Sequence, residues 1–217
     1  MNKEQTIQRV SEQINLDNIK FLVWYGNRVE SDVSLLAVSE KESGVHLCEL
    51  LNFNILTIGK DELMRRLGLF DPLVTEPVIN GYLIWGDDER WGLLRSDAVL
   101  SFSFSDKVIR FLREEACEKL RDAATSLQIY KQKKDKSSLL SFLIALSFAC
   151  SYFEFAKYYS SNPKFLPITL KHLLVEDGTL VLKEVLEFLR AVKSAKEFNK
   201  NQAVDLFRKT QKLLEVI

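Results

Sequence analysis

The residues best suited to chemistry lie in one stretch, Phe21 to Val38, which reads FLVWYGNRVESDVSLLAV. Two apolar runs, 21–25 and 33–38, are rich in β-branched and aromatic residues and flank a short polar segment. Such runs separated by turn-forming residues predict a strand, a tight turn and a second strand.

The polar residues of this stretch place oxygen ligands at one end of the hairpin. Asp32 and Ser34 stand two residues apart, so both lie on the same face of a strand. Their oxygen atoms are the kind of ligand that a hard divalent cation takes.

The order of these residues resembles the signature of the nucleotidyltransferase superfamily, the fold of polymerase-β-like enzymes and of small antibiotic- or protein-modifying transferases. The family form is strand–Gly–Ser–x(n)–Asp–x–Asp–strand. The matching positions here are Gly26, Asn27, Asp32 and Ser34. Two of the four residues differ from the family form.

Later segments follow the family order as well. Family members commonly continue with a third acidic strand, a helix, a "DP" turn, another helix and a G-x-hydrophobic-x-x-G-D strand. Leu51–Leu63, Asp71-Pro72 and Gly81–Asp87 occur in that order, so the resemblance covers about residues 18 to 90. In this alignment the third family carboxylate falls on Asn54.

The resemblance implies a site for Mg²⁺ and a nucleoside triphosphate, in a cleft between two domains. Metal ions bridge the triphosphate and the attacking hydroxyl, and three carboxylates hold them. Here that set reads Asp32, Ser34 and Asn54, so the formal charge falls from −3 to −1. We therefore expect a degenerate site that binds metal weakly through Asp32, with slow or absent catalysis. The resemblance places Gly26, Asn27 and Arg28 nearest the phosphates.

Simpler interpretations of these residues remain open. Asp32 can be a turn residue that caps local backbone amides, and Asn54 can be a strand amide with a local hydrogen bond. Other acids nearby could substitute for the lost carboxylates, although none has the family spacing: Glu30, Glu49, Asp61, Asp87 and Asp88.

The chain as a whole predicts an α+β fold. A nucleotidyltransferase-like mixed sheet flanked by helices should occupy 1–104, and an α-helical bundle 105–217. The expected strands are 21–25, 33–38, 45–51, 53–58 and 81–86, with 99–104 as a last strand or a linker. The expected helices are 3–14, 59–70, 72–76, 105–134, 138–159, 168–175, 180–197 and 202–216. The helix at 72–76 should end before Pro77.

One apolar segment bears on localisation. Ser137 to Phe153 carries no charge but is shorter than the about 20 residues of a spanning helix and is interrupted by serines. We expect a buried core helix, because a helix apolar on all sides is also typical of the centre of a bundle. With no signal peptide visible, the sequence predicts a cytoplasmic protein.

The cysteines and histidines predict structure rather than chemistry. Cys48, Cys117 and Cys150 are odd in number and set among apolar residues, which favours buried thiols. His46 and His172 fall in different predicted domains without a partner at ligand spacing.

Charge and surface patterns leave the partner open. Lys and Arg total 30, as do Asp and Glu, so no global field attracts nucleic acid. The cationic run 131–136 favours a solvated helix end, and the aromatic stripe 152–159 favours a core or a dimer interface. A nucleotide, a protein partner or a homodimer formed through the helical half are the expected partners. Two alternatives remain: an active transferase moving an NMP to a hydroxyl, and an antitoxin-like interaction module.

Overall fold

The computed structural model describes residues 3–12, 14–25, 33–40, 45–50, 53–101, 105–161, 180–194 and 200–215. The chain divides into two compact units, Met1–Ser103 and Phe104–Ile217. The first is a mixed sheet with helices and the second is helical, so the α+β class is confirmed. The division falls one residue from the expected domain boundary.

The first unit alternates strands and helices. Its strands are β1 (Ile19–Tyr25), β2 (Val33–Ser39), β3 (Val45–Leu50), β4 (Phe53–Gly59) and β5 (Tyr82–Trp85). Its helices are α1 (Lys3–Ser11), α2 (Lys60–Leu67), α3 (Pro72–Asn80) and α4 (Asp88–Ser101). The described strands form one sheet in the order β3-β4-β2-β1-β5. The β2–β4 pair is parallel and the other pairs are antiparallel.

Apolar side chains cover both faces of this sheet. One face packs Val23, Leu36 and Leu56 against buried residues of α2, α3 and α4. The opposite face packs Leu22 and Leu35 together with Val10 of α1. Because both faces of the sheet are covered, the strands appear in the sequence as nearly continuous apolar runs.

Helix α3 corrects one expectation. It runs through Pro77 to Asn80 instead of ending at 76. Proline removes a helical hydrogen bond, but Pro77 is itself buried beside Val74 and Val78. We attribute the continuation to this burial, since packing of one face supplies most of the stability of a helix.

Two more boundaries of the first unit were wrong. The segment from Val99 to Ser101 ends helix α4 and does not begin a strand. Helix α4 was missed in the sequence analysis. Its buried residues Trp91, Leu94 and Ala98 recur at helical spacing and stabilise it by packing. Helix α2 ends at Leu67 and not at about residue 70.

The second unit is built around one apolar helix. Its described helices are α5 (Asp106–Lys133), α6 (Lys136–Ser161), α7 (Leu180–Lys193) and α8 (Lys200–Glu215). Helix α6 contacts the other three and has more buried side chains than any of them in the described part of the chain. By length and composition it could cross a membrane, but most of its apolar window is buried inside the unit. The expected core helix is confirmed, whereas the expected helix at 168–175 lies outside the described residues.

Some of the expectations for individual side chains are confirmed, and one is wrong. Cys150 is buried, and burial raises its pKa to about 11, which suits an inert thiol. Cys117 is exposed on α5, so the expectation of a buried thiol was wrong there. Tyr152 and Tyr159 are fully buried in the core, and the cationic run after Tyr130 is largely exposed, as predicted. The side chain of Cys48 lies outside the description.

Candidate functional site

Strands β2 and β4 bring two of the predicted site residues together. In their parallel pairing, Ser34 stands directly opposite Asn54. Neighbouring strands are about 4.8 Å apart, so these two residues are immediate neighbours across the sheet. They are 20 positions apart in the sequence. They are neighbours because β3, which separates β2 from β4 along the chain, does not lie between these two strands in the sheet.

Strands β1 and β3, which flank this pair in the sheet, each place one residue beside it. Tyr25 at the end of β1 stands opposite Ser34, and Glu49 on β3 stands opposite Asn54. Polar residues therefore occupy matching register positions on four strands, and we call these positions, Tyr25, Ser34, Asn54 and Glu49, the polar row.

Tyr25 and Ser34 are joined by a hydrogen bond between their side chains. The Tyr25 ring packs partly buried against the core cluster shared by β1, α2 and α3. Burial raises the pKa of the Tyr25 phenol to about 12, helped by the nearby charge of Glu76 and opposed by the bond to Ser34. The phenol thus keeps its proton and acts as a neutral polar group.

Glu76 adds a carboxylate that the motif comparison did not include. It belongs to α3, which contacts both β1 and β2, and its charge acts on the Tyr25 hydroxyl. Neither residue was predicted for the site, because Tyr25 ends an apolar run and Glu76 was assigned to a short helix. One signal was present: Glu76 is the only acid in the otherwise uncharged stretch 72–80.

An ion pair fixes the beginning of α3. Asp71 caps the helix, accepting a hydrogen bond from the Leu73 amide at 3.0 Å. Its other oxygen binds the Arg66 guanidinium at 2.5 Å, and Asp71 is fully buried. Arg66 also binds Glu62 at 2.7 Å, so α2 and α3 are tied through the "DP" turn. This network fixes the first turn of the helix that contains Glu76.

The end of α3 is fixed by a cation and a glycine. Arg95 of α4 donates a hydrogen bond to the Ile79 carbonyl at 2.5 Å. A Cβ at Gly81 would lie 2.1 Å from the Pro77 carbonyl oxygen and 2.4 Å from Val23 Cγ1. The chain can therefore turn from α3 into β5 only without a side chain at this position.

The rest of the G-x-hydrophobic-x-x-G-D segment is also structural. Gly86 has φ +113°, and a Cβ there would lie 2.4 Å from the Lys20 carbonyl oxygen. Asp87 accepts a hydrogen bond from the Arg90 amide at 3.0 Å, which caps the start of α4. Asp61, Asp87 and Asp88 are all exposed, so these acids do not join the polar row.

The remaining predicted site residues, Gly26, Asn27, Arg28 and Asp32, lie outside the described residues, as does Glu30. Within the described part of the chain, no three His, Cys, Asp or Glu residues gather as a metal site. Tyr25, Ser34 and Asn54 are neutral residue types, and Glu49 is the one acid among the four positions of the row. Mg²⁺ loses its water reluctantly without anionic ligands, so the neutral residues at positions 34 and 54 weaken its binding relative to the family set.

Comparison with known proteins finds similarity to solved structures. No protein-family model matches the chain, and no curated protein matches it. The chain is similar to a solved nucleotidyltransferase-like protein from Exiguobacterium sibiricum 255-15, with 12% identity and a TM-score of 0.38. The match covers 99% of this chain and 74% of that one. A TM-score this low carries no weight for the site or its chemistry.

Proposed function

We propose that this protein is a nucleotidyltransferase-like nucleotide-binding protein whose metal site is degenerate. The observation that carries the proposal is the direct opposition of Ser34 and Asn54 on parallel strands. These are the two positions where the family alignment expects carboxylates. They adjoin at the end of the sheet from which the Gly26–Asp32 segment continues.

Charge argues for binding with little or no turnover. Metal-dependent transfer needs ligands that compensate the desolvation of the cation, and Ser34 and Asn54 offer only neutral oxygens. Asp32 remains as the one acid of the family set, and Asn27 and Arg28 remain for the phosphates. The protein then acts by binding a nucleotide, as a regulatory or weakly active relative of the transferases.

The proposal extends to setting and partners. A cytoplasmic protein fits the burial of α6, whose apolar residues are used inside the helical unit. The helical unit would carry contacts to a protein partner or to a second copy. Equal numbers of acidic and basic residues give no support to nucleic acid as a partner.

Isothermal titration with ATP, GTP, CTP and UTP tests the proposal. We expect at least one nucleotide to bind the unmodified protein, and Ser34→Arg to weaken that binding by crowding the polar row. Lys119→Arg, at a partly exposed ion pair on α5, is the control and should bind as the unmodified protein does. Failure of all four nucleotides to bind would end the proposal and would favour the interaction module.

A further inference from the structure

The charge balance of the whole chain averages two units of opposite charge. The first unit, Met1–Ser103, contains 10 Lys and Arg residues against 16 Asp and Glu, a formal net charge of −6. The second unit, Phe104–Ile217, contains 20 against 14, a formal net charge of +6. The helical unit by itself therefore has the positive field that the whole chain lacks.

Six exposed cations of the second unit lie at one end of its helices. Helix α5 ends at Lys133 and α6 begins at Lys136, so a short connection joins them. The Lys136 Nζ atom lies 3.5 Å from the Lys193 carbonyl oxygen, which places the end of α7 beside this connection. Buried Tyr130 and Val192, near the ends of α5 and α7, belong to one core cluster. We call the six cations the basic end: Lys131, Lys133, Lys134, Lys136, Arg190 and Lys193.

Two described acids partly offset this charge. Asp135 lies within the connection, and its carboxylate accepts a hydrogen bond from the Ser138 amide at 2.7 Å, which caps α6. Glu187 on α7 is the described acid nearest in sequence to Arg190. Residues 195–199, which follow α7, include one lysine and one glutamate, whose formal charges cancel. The basic end therefore keeps an excess of positive charge.

Helix dipoles account for part of the basic end but not for all of it. Cations in the last turn of a helix are favourable, which accounts for Lys131 and Lys133 on α5. The same reason applies to Arg190 and Lys193 on α7. Lys136 is instead the first residue of α6, where the dipole disfavours a cation and the first turn contains no acid. Stabilisation of the helices therefore gives no reason for a cation at this position.

The composition of the basic end favours phosphates over a protein surface. Five of its six cations are lysines, whereas protein interfaces are depleted in lysine and enriched in aromatic residues. Tyr130, the aromatic residue in the last turn of α5, is buried. Single-stranded nucleic acid is bound through aromatic side chains on which the bases stack. Exposed lysines without such a described platform suit the backbone of a duplex, which is bound by charge without reading of sequence.

We propose that the basic end of the helical unit binds the phosphate backbone of a nucleic-acid duplex through charge, without base recognition. This role goes beyond nucleotide binding by the first unit and does not depend on it. The first unit has a negative net charge, so it is an unfavourable partner for the same polyanion.

The test is binding of the full-length protein to a short fluorescent DNA duplex and to an RNA duplex of the same sequence, measured by anisotropy at several salt concentrations. We expect both duplexes to bind, with dissociation constants within about tenfold of each other, because both backbones present phosphates. The logarithm of the binding constant should fall with the logarithm of the salt concentration. The expected slope is about −3 to −5, because each neutralised phosphate contributes about −0.9.

Matched double variants locate the contact. Lys131→Gln with Lys133→Gln removes two charges from the basic end and should reduce the magnitude of the slope by about 2. Lys107→Gln with Lys157→Gln removes two exposed charges elsewhere on α5 and α6 and should leave the slope unchanged. Each control position lies about 30–40 Å along its helix from the basic end, well beyond the range of screened charge. Circular dichroism of both variants should match that of the unmodified protein.

Four results would overturn the inference. The unmodified protein might bind neither duplex at low salt, or it might bind only one of them, which charge alone does not explain. Equal effects of the two double variants would reject the assignment to the basic end. Preferential binding of polyglutamate over both duplexes would assign the basic end to an acidic protein. Because the first two results use the unmodified chain, the test stands even where a variant fails to fold, and none of the four bears on nucleotide binding.

Discussion

At the scale of residues, Ser34 and Asn54 stand opposite each other at the two positions where the family alignment expects acids. Compared with an acid, each of these neutral residues removes an attraction for a cation and keeps a polar group. The exchange of charge for donors at fixed backbone positions is the physical basis of the proposed loss of catalysis.

Restoring the acids should restore metal dependence. In Ser34→Asp with Asn54→Asp, two carboxylates face each other across neighbouring strands and can share one cation with Asp32. We expect calorimetry to show Mg²⁺-dependent nucleotide binding in the double variant. Each single variant should gain much less, with a coupling of about 0.5–3 kcal/mol, because both acids act on the same ion.

The control for this prediction is Ser96→Asp, which adds a charge to the exposed surface of α4. It should leave the metal dependence unchanged. Equal and additive gains from the two single substitutions would show that the residues do not act on one ion.

The hairpin could be predicted because its strands are apolar on both faces and end at turn-forming residues. Family order assigned Asn54 to a later strand as the third position of the set, and the parallel pairing of β2 with β4 places it opposite Ser34. The effect of the Glu76 charge on the pKa of Tyr25 could not be predicted, because these residues are 51 positions apart and come near each other only when α3 packs on β1. Asp87 matches the last position of the family segment in the sequence. Its role as a helix cap could not be predicted, because that role depends on where α4 begins.

At the scale of elements, α3 connects the site to the rest of its unit. The Asp71–Arg66 pair fixes its first turn, and the bond from Arg95 fixes its last. The two glycines of the following segment allow β5 to pass close to neighbouring backbone. The family-like spacing of this segment thus reflects packing, and any effect on ligand binding is indirect.

Glycine substitutions should separate tight from open positions. Gly81→Ala should cost about 1–3 kcal/mol of the free energy of unfolding, because its Cβ has no space. Gly92→Ala, with nothing within 4 Å in the interior of α4, should instead gain about 0.5–1 kcal/mol.

Urea unfolding followed by tryptophan fluorescence measures this difference. All three tryptophans, Trp24, Trp85 and Trp91, belong to the first unit, so the signal reports that unit. If Gly81→Ala proved as stable as the unmodified protein, the close approach of α3, β1 and β5 would be wrong.

At the scale of the whole molecule, the polar row belongs to the first unit, and the described elements of the second unit are all helices. Helix α6 is the apolar centre of the second unit. Its uncharged sequence was enough to predict burial, whereas Cys117 shows that apolar neighbours in sequence do not decide exposure on an amphipathic helix.

The core role of α6 predicts a graded response to truncation. Leu143→Ala should cost about 2–5 kcal/mol, because Leu143 is fully buried and its loss leaves a cavity. Phe148→Ala should cost less, since that ring is only partly buried. Far-UV circular dichroism during urea unfolding measures both, and partitioning of the purified protein into detergent or membrane fractions would contradict the core assignment.

Turnover is the most direct test of the central claim, that the protein binds a nucleotide at a site that has lost its catalytic acids. Pyrophosphate release from NTP should be measured for the unmodified protein in Mg²⁺, at nucleotide concentrations where calorimetry shows the site to be occupied. We predict slow or absent release. Robust Mg²⁺-dependent release that is abolished by Asp32→Ala would contradict the claim and identify the protein as a working transferase.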